Sequence, residues 1–387
     1  MIAIVYPYLA HYRYPIFCEL CNSKDYKFRI ISGVETDVNL KTLDPKYAHI
    51  PIEEGGLTWE FVKNVWLLNK RLLWQNGLIS KCLKNDFDAY IFFGNAKFIT
   101  TWICASILRI KGKKIYFWTH GVRKKERGIK SFFRVLFYKL AHGLFLYGNY
   151  AAQIIEEKGF SKNNLHVIYN SLDYRNQLKL RNLLSKDSLE NIRSKFFEDP
   201  LLPQIIFIGR IIKEKKIDQL IEAVKILRDE HFMVNILLVG EGEEEKMLKE
   251  LVTNYKLDKN VLFYGPSYNE GDNYNLIAGS DVCISPGGVG LNAIHSLTYG
   301  TPVITHNIFC KQGPEFEAIE PGVTGDFFEI DNTYELSRTI KNWFIKNNDR
   351  EKIRFKCYKI IDERYNPFYQ YKIICEVLKN DKIPKSL

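Results

Sequence analysis

Short, continuous apolar runs alternate with longer helix-period stretches along this chain, and that alternation constrains its fold more than any other feature. In the first half the runs are IAIVYP (2–7), FRIIS (28–32), AYIFFG (89–94), KIYFWTHG (114–121), GLFLYG (143–148) and LHVIYN (165–170). In the second half they are QIIFIG (204–209), VNILLVG (234–240), VLFYG (261–265), DVCISP (281–286) and PVITH (302–306). A run apolar at every position, rather than at alternate ones, suits a strand whose sheet is covered on both faces. Helical stretches such as DQLIEAVKILRDE (218–230) and EEKMLKELVTNY (244–255) lie between the runs. Two such series predict two doubly wound, parallel-sheet α/β domains in tandem. A length of 387 residues with 46% hydrophobic content is enough for two cores.

The junction is read at 174–203, which is charged, rich in Asn, Lys and Arg, and without a strand signal. This places the first domain at 1–175 and the second at 176–364. Pro367 follows a break and opens a further helical pattern. With no strand left to pair in the second domain, residues 365–387 are expected to cross back onto the first.

Several classes are excluded. The eight cysteines are scattered, and the one close pair, Cys18 and Cys21 in CELC, lies in an amphipathic helical pattern that suits packing thiols rather than zinc. No metal or other cofactor is expected. The N-terminal MIAIVYPYLA reads as a strand, not a secretory signal. No apolar run reaches the roughly 18 residues of a membrane span. A cytoplasmic protein with reduced thiols is therefore expected, either free or at the inner face of the membrane. The net charge of +10 favours anionic partners, such as nucleotides or an acidic membrane face. Nucleic acid is not expected, because no recognition motif accompanies the charge.

Open α/β sheets bind ligands outside the carboxyl ends of their strands. Two facing domains would put those ends on a shared cleft, and the residues just after the strands become the candidates. In the second half these are Arg210, Gly240 to Gly242 with Glu241 between them, and the turn after Pro286. Gly287, Gly288 and Gly290 allow a tight turn into a helix that starts at Leu291, and a helix N-terminus offers amides to an anion. Arg210 follows a strand and Lys215 precedes the next helix, so together they could neutralise a diphosphate leaving group. In the first half, His120 ends a strand, while Tyr8, His11, Tyr12 and Arg13 follow the first strand on the expected acceptor side. Asn170 and Asp173 fit turn and capping positions.

GRIIKEKKIDQLIEAV, LLVGEGEEEKMLKEL, VLFYG, SPGGVGLNAIHSLTYGTPVIT and EAIEPGVTG stand in an order and spacing that resembles the retaining nucleotide-sugar glycosyltransferases of family 4. The resemblance covers about residues 204–330 closely. It is looser in the first half, where PYLAHYRYPIF, WTHG and VIYNSLD carry it. It implies two facing Rossmann-like domains, the B-type glycosyltransferase fold. It also implies metal-independent transfer of a sugar from a nucleotide-diphosphate donor to a glycan or lipid-linked saccharide, as in surface polysaccharide biosynthesis. By the same resemblance Arg210 and Lys215 hold the diphosphate, Gly290 and Leu291 offer it amides, and His120 contacts the donor sugar. The chain departs from the family at one point. Where the family has two glutamates, one for the donor sugar and one for the ribose, this sequence has Gly287 and His295. His295 can still bond a ribose hydroxyl, and Glu315 or Glu317 could bring a carboxylate. The departure keeps open a second reading, a catalytically impaired binding or scaffold protein of the same fold.

One further segment stands out. In RKKERGIKSFFRVLFYKL (123–140), Ile129, Phe132, Phe133, Leu136, Phe137 and Leu140 recur at helical spacing among Lys124, Lys125, Arg127, Lys130, Arg134 and Lys139. The pattern predicts either a core-facing helix with a basic flank or an interfacial patch on an anionic leaflet, which VWLLNKRLLW (65–74) could extend.

Overall fold

The first apolar run forms β1 (Ile2–Tyr6), which lies between β2 (Phe28–Ser32) and β6 (Ala89–Phe93) in parallel register. The computed structural model describes residues 1–36, 40–84, 87–124, 128–183 and 192–385. They divide into two units, Met1–Asp173 with Asn366–Leu387, and Tyr174–Tyr365.

In the first unit the sheet continues through β3 (Trp59–Phe61), β7 (Lys114–Thr119), β8 (Gly143–Leu146) and β9 (Leu165–Val167). Its order is β3-β2-β1-β6-β7-β8-β9, parallel throughout. Side chains alternate between two cores, Ile2, Ile4 and Tyr6 on one face and Ala3 and Val5 on the other. The first face is closed by Ile16, Phe17 and Leu20 of one helix and by Ile374, Val377 and Leu378 of the helix Pro367–Asn380. Asn366 caps that last helix and Pro367 opens it, so the chain breaks cleanly after Tyr365. Gln370 then ties it to the segment after β9, accepting from Ser171 Oγ at 2.7 Å and donating to the Tyr169 carbonyl at 2.8 Å. Each fully buried aliphatic side chain on this face contributes about 1.5–3 kcal/mol, which is what holds a C-terminal helix on an N-terminal sheet.

Residues 65–74, considered above as an extension of the interfacial patch, form no helix. They build most of an antiparallel hairpin, β4 (Lys63–Leu67) and β5 (Leu72–Asn76). Its buried side chains cover the end of β1. Gln75 donates to the Tyr6 carbonyl at 3.0 Å, and Asn64 donates to the Pro7 carbonyl at 2.6 Å. The hairpin and β3 lack the continuous apolar pattern because each has only one covered face.

The second unit holds β10 (Gln204–Ile208), β11 (Asn235–Val239), β12 (Val261–Gly265), β13 (Val282–Ser285), β14 (Val303–His306) and β15 (Gly325–Phe328). The order is β12-β11-β10-β13-β14-β15, all parallel. Counted within each parallel sheet, strands three, two, one and four run in Rossmann order, and the strand order reverses beside the first strand. In the second unit that switch point lies between β10 and β13. β15 is short and only half covered, which is why its residues gave no strand signal.

Candidate functional site in the second unit

The loops after β10 and β13 leave the sheet on either side of the switch point, where a doubly wound sheet opens a crevice. Asn292 joins them, donating to the Ile208 carbonyl at 3.0 Å and approaching Ser285 Oγ at 3.4 Å. The β10 loop turns at Lys213–Lys215 and packs against the glycine turn, where Gly287 N donates to the Lys215 carbonyl at 3.0 Å. A Cβ at Gly287 would lie 1.9 Å from the Glu214 carbonyl oxygen and 2.6 Å from Lys215 backbone atoms. Glycine stands there because two backbones touch. Gly288 takes φ +104°, a conformation costly for other residues. Its carbonyl accepts from Lys215 Nζ at 3.2 Å.

The glycine turn is held from below by buried Gln312. Its Oε1 accepts from Val289 N at 2.6 Å, and its Nε2 donates to the His306 carbonyl at 2.7 Å. Gly313 N donates to the Val289 carbonyl at 2.8 Å. Gly290 then starts the helix Leu291–Thr298, which no side chain caps. A Cβ built on Gly290 meets nothing within 4 Å, so the helix start faces open space. Free amides, the positive end of the helix dipole and open space together make a place for an anion.

Lys215, bonded to the Gly288 carbonyl, and Arg210, whose charge acts on it, are the cations of this corner. Arg210 is exposed, and Lys215 is partly buried. Burial, and then the charge of Arg210, lower the Lys215 pKa. Among the described residues neither has a carboxylate partner. Two like charges held near each other without a counter-ion are unfavourable until an anion arrives.

The remaining second-unit candidates fall around this corner. Glu241 is exposed, its side chain accepts from Tyr268 OH at 3.0 Å, and its carbonyl accepts from Ile211 N at 2.9 Å. Glu315 is buried in the turn Pro314–Ala318, with Oε2 2.6 Å from where a Cβ of Gly313 would stand, and Glu317 lies partly buried in the same turn. His295 does not stand free. Its Nε2 is 3.0 Å from Glu270 Oε1, a residue absent from the sequence candidates. The same oxygen accepts from Tyr299 OH at 2.6 Å and Gln177 Nε2 at 2.8 Å. Desolvation raises the Glu270 pKa, but the bonds from His295, Tyr299 and Gln177 outweigh it and hold it at about 2. Glu270 lies far from the glycine turn in sequence, so spacing could not reveal it. The one available signal was Asn269, an N-cap that marks the first turn of a helix.

In the first unit, Arg13 and His120 gather around Tyr147. Arg13 is buried, donates to Tyr6 OH at 2.9 Å and to Tyr147 OH, and lies 5.3 Å from the Trp118 ring centroid. It thus holds the end of β1 inside an aromatic cage. The His120 ring lies 4.6 Å from that of Tyr147. Desolvation, then the charges of Arg13 and Arg123, lower the His120 pKa to about 4, so the ring is neutral at pH 7 although the residue reaches solvent. The Tyr12 ring centroid is 5.8 Å from Arg13, Tyr8 is partly buried, and His11 is exposed with its amide donating to the Lys41 carbonyl at 2.9 Å.

The helix Ile129–Tyr138 is not core-facing along its whole apolar stripe. Phe137 and Tyr138 are buried, but Ile129, Phe132, Phe133 and Leu136 are 76%, 65%, 53% and 44% exposed. Arg123, Lys124, Lys130 and Lys139 are exposed around them, while Lys125 and Arg127 lie outside the described residues. Among the described residues no helix is long and apolar enough to cross a membrane, and no group of three or more His, Cys, Asp or Glu could hold a metal ion.

Residues 189–359 match the family model described as Glycosyl transferases group 1. Within the curated relatives, the chain is 35% identical over 177 residues to a glycogen synthase of Flavobacterium johnsoniae, covering 40% of this chain and 37% of that protein. It is 29% identical over 201 residues to an uncharacterized 41.2 kDa protein in the cps region of Klebsiella pneumoniae, covering 48% and 49%. The chain thus spans less than half the length of these relatives. Likeness of fold extends further. Anabaena HepE in complex with UDP superposes with a TM-score of 0.70 at 17% identity, over 98% of this chain and 99% of that one. A glycosyltransferase from Rickettsia africae gives 0.71 at 18%, over 98% and 97%. The fold is the B-type glycosyltransferase fold of two Rossmann-like domains.

Proposed function

We propose that the chain is a retaining glycosyltransferase that moves a sugar from a nucleotide-diphosphate donor to a glycan or lipid-linked saccharide. The observation that carries this reading is the pair of cations, Arg210 and Lys215, without a carboxylate partner among the described residues, beside the helix start at Gly290 and Leu291. As the glycosidic C–O bond breaks, negative charge grows on the departing diphosphate. Both cations and the Gly290 and Leu291 amides stabilise that charge, which is the work a metal ion does elsewhere. No metal is invoked. The departing phosphate oxygen takes the acceptor proton, so no protein nucleophile is required. Neutral His120 is assigned to the donor sugar, where it can both donate and accept a hydrogen bond. Tyr8, His11, Tyr12 and Arg13 are assigned to the acceptor side, with Arg13 shaping the site from inside its cage rather than by contact. Glu241 and Glu317 are kept as outer donor contacts. Similarity to a cps-region protein supports a place in surface polysaccharide biosynthesis.

A screen of UDP-, GDP- and ADP-sugars is expected to find one donor whose transfer product, read by NMR coupling constants, keeps the donor's anomeric configuration. An inverted product overturns the retaining mechanism, and nucleotide binding with no transfer to any acceptor favours the scaffold reading.

We also assign the Ile129–Tyr138 face to an anionic membrane surface, at the cytoplasmic side. Four exposed apolar side chains in one stripe, with Arg123, Lys124, Lys130 and Lys139 exposed in the same segment, match a leaflet of lipid tails under negative head groups. Each nearby Lys or Arg adds about 1 kcal/mol. Sedimentation with vesicles containing phosphatidylglycerol is expected to capture the protein, and Phe132→Asp with Phe133→Asp to reduce capture at least about tenfold. Equal capture of the variant excludes this face.

A further inference from the structure

We propose that Glu270 supplies the carboxylate that reads the ribose hydroxyls of the bound nucleoside diphosphate, in place of any residue of the Gly287–His295 segment. The inference rests on the reading of the Arg210–Lys215–Gly290 corner as the diphosphate site.

Three features converge on Glu270. First, its placement is indirect but fixed. His295 and Tyr299 stand one and two turns beyond Leu291 on one face of the helix Leu291–Thr298 and its C-cap. Both bond to Glu270. The carboxylate therefore sits about one to two turns, roughly 6–12 Å, along the helix from the amides at its start. A ribose linked to a diphosphate held at those amides can reach that carboxylate when the nucleotide runs along this face of the helix. Second, its bonding is lopsided. Oε1 takes all three protein hydrogen bonds, from Gln177, His295 and Tyr299, and among the described residues Oε2 takes none. A carboxylate buried only to tie helices together would be expected to satisfy both oxygens, because an unmet buried charge is costly. Here the side chain is 29% exposed, which leaves the second oxygen able to accept from a ligand. Third, the chemistry matches. A vicinal diol presents two O–H donors, and an ionised carboxylate is the side chain best suited to accept them. Gly287 cannot play this part, since its Cβ position is filled by the Glu214 carbonyl.

Calorimetry with UDP, GDP and ADP and their 2′-deoxy forms tests the inference. Wild-type protein is expected to bind the preferred ribonucleotide about tenfold or more tighter than its deoxy form, as for a hydrogen bond to a charged group. Glu270→Gln keeps an oxygen for His295, Tyr299 and Gln177, and is expected to bind both forms alike, with a lower melting temperature because the charge that strengthens those bonds is gone. Tyr299→Phe removes a bond to Oε1 only, and is expected to keep the ribose preference. If the preference survives in Glu270→Gln, or is lost equally in Tyr299→Phe, Glu270 is a structural tie and the inference falls while the diphosphate reading stands. If the wild type binds no nucleotide of the panel, both fall together.

Discussion

Arg210→Ala and Lys215→Ala are each expected to lower sugar transfer by about 10²–10³-fold, the usual loss when one stabiliser of a developing oxyanion is removed. Binding of the nucleoside diphosphate should weaken by about tenfold or more in each variant, as for a charge-assisted hydrogen bond. The melting temperature should hardly move. Arg210 is exposed and without a carboxylate partner among the described residues, so its removal leaves no buried charge behind. Lys215 gives up one bond, to the Gly288 carbonyl, and some desolvation cost with it. Initial rates, calorimetry and thermal melts on the same preparations separate the effects. Near-full activity in either folded variant would remove that cation from the mechanism.

The second large effect concerns the position where the resemblance leads one to expect a glutamate. Gly287→Glu is expected to damage the protein rather than improve it. Any Cβ there meets the Glu214 carbonyl at 1.9 Å, so the Lys213–Lys215 turn must move away. Forcing atoms into a filled site costs about 1–3 kcal/mol, a drop of about 2–4 °C per kcal/mol for a unit of this size. The turn that moves carries Lys215, so diphosphate binding should fall with stability. Gly287→Ala is expected to show the same effects in milder form, because the clash begins at Cβ. Thermal melts and nucleotide titrations check both. A Gly287→Glu variant that melts like wild type and transfers sugar faster would show that the contact is loose.

These two cases mark what could be read before the structure. The parts of the corner proposed for the diphosphate are short-range features of the sequence: a cation just past an apolar strand, a second cation before a helix, and glycines opening the next helix. Each follows from local backbone demands. Glu270 was not legible. It reaches His295 across 25 residues of chain, through a strand crossing that no local period encodes. The helix Ile129–Tyr138 shows the opposite limit. Its amphipathic stripe was plain, yet periodicity states only that one face is apolar, not whether protein or solvent lies against it.

The pattern of residues specifies two parallel α/β sheets, since buried strands must be apolar throughout, and it places charge in the loops at their carboxyl ends. Long-range packing settled the rest. It set the strand order that puts the switch point of the second sheet between β10 and β13. It showed that Gly287 is glycine because two backbones meet there. And it placed a carboxylate from a distant helix beside His295. Those facts depend on contacts between residues far apart in the chain, and such contacts are fixed by packing as a whole rather than by any stretch of residues read alone.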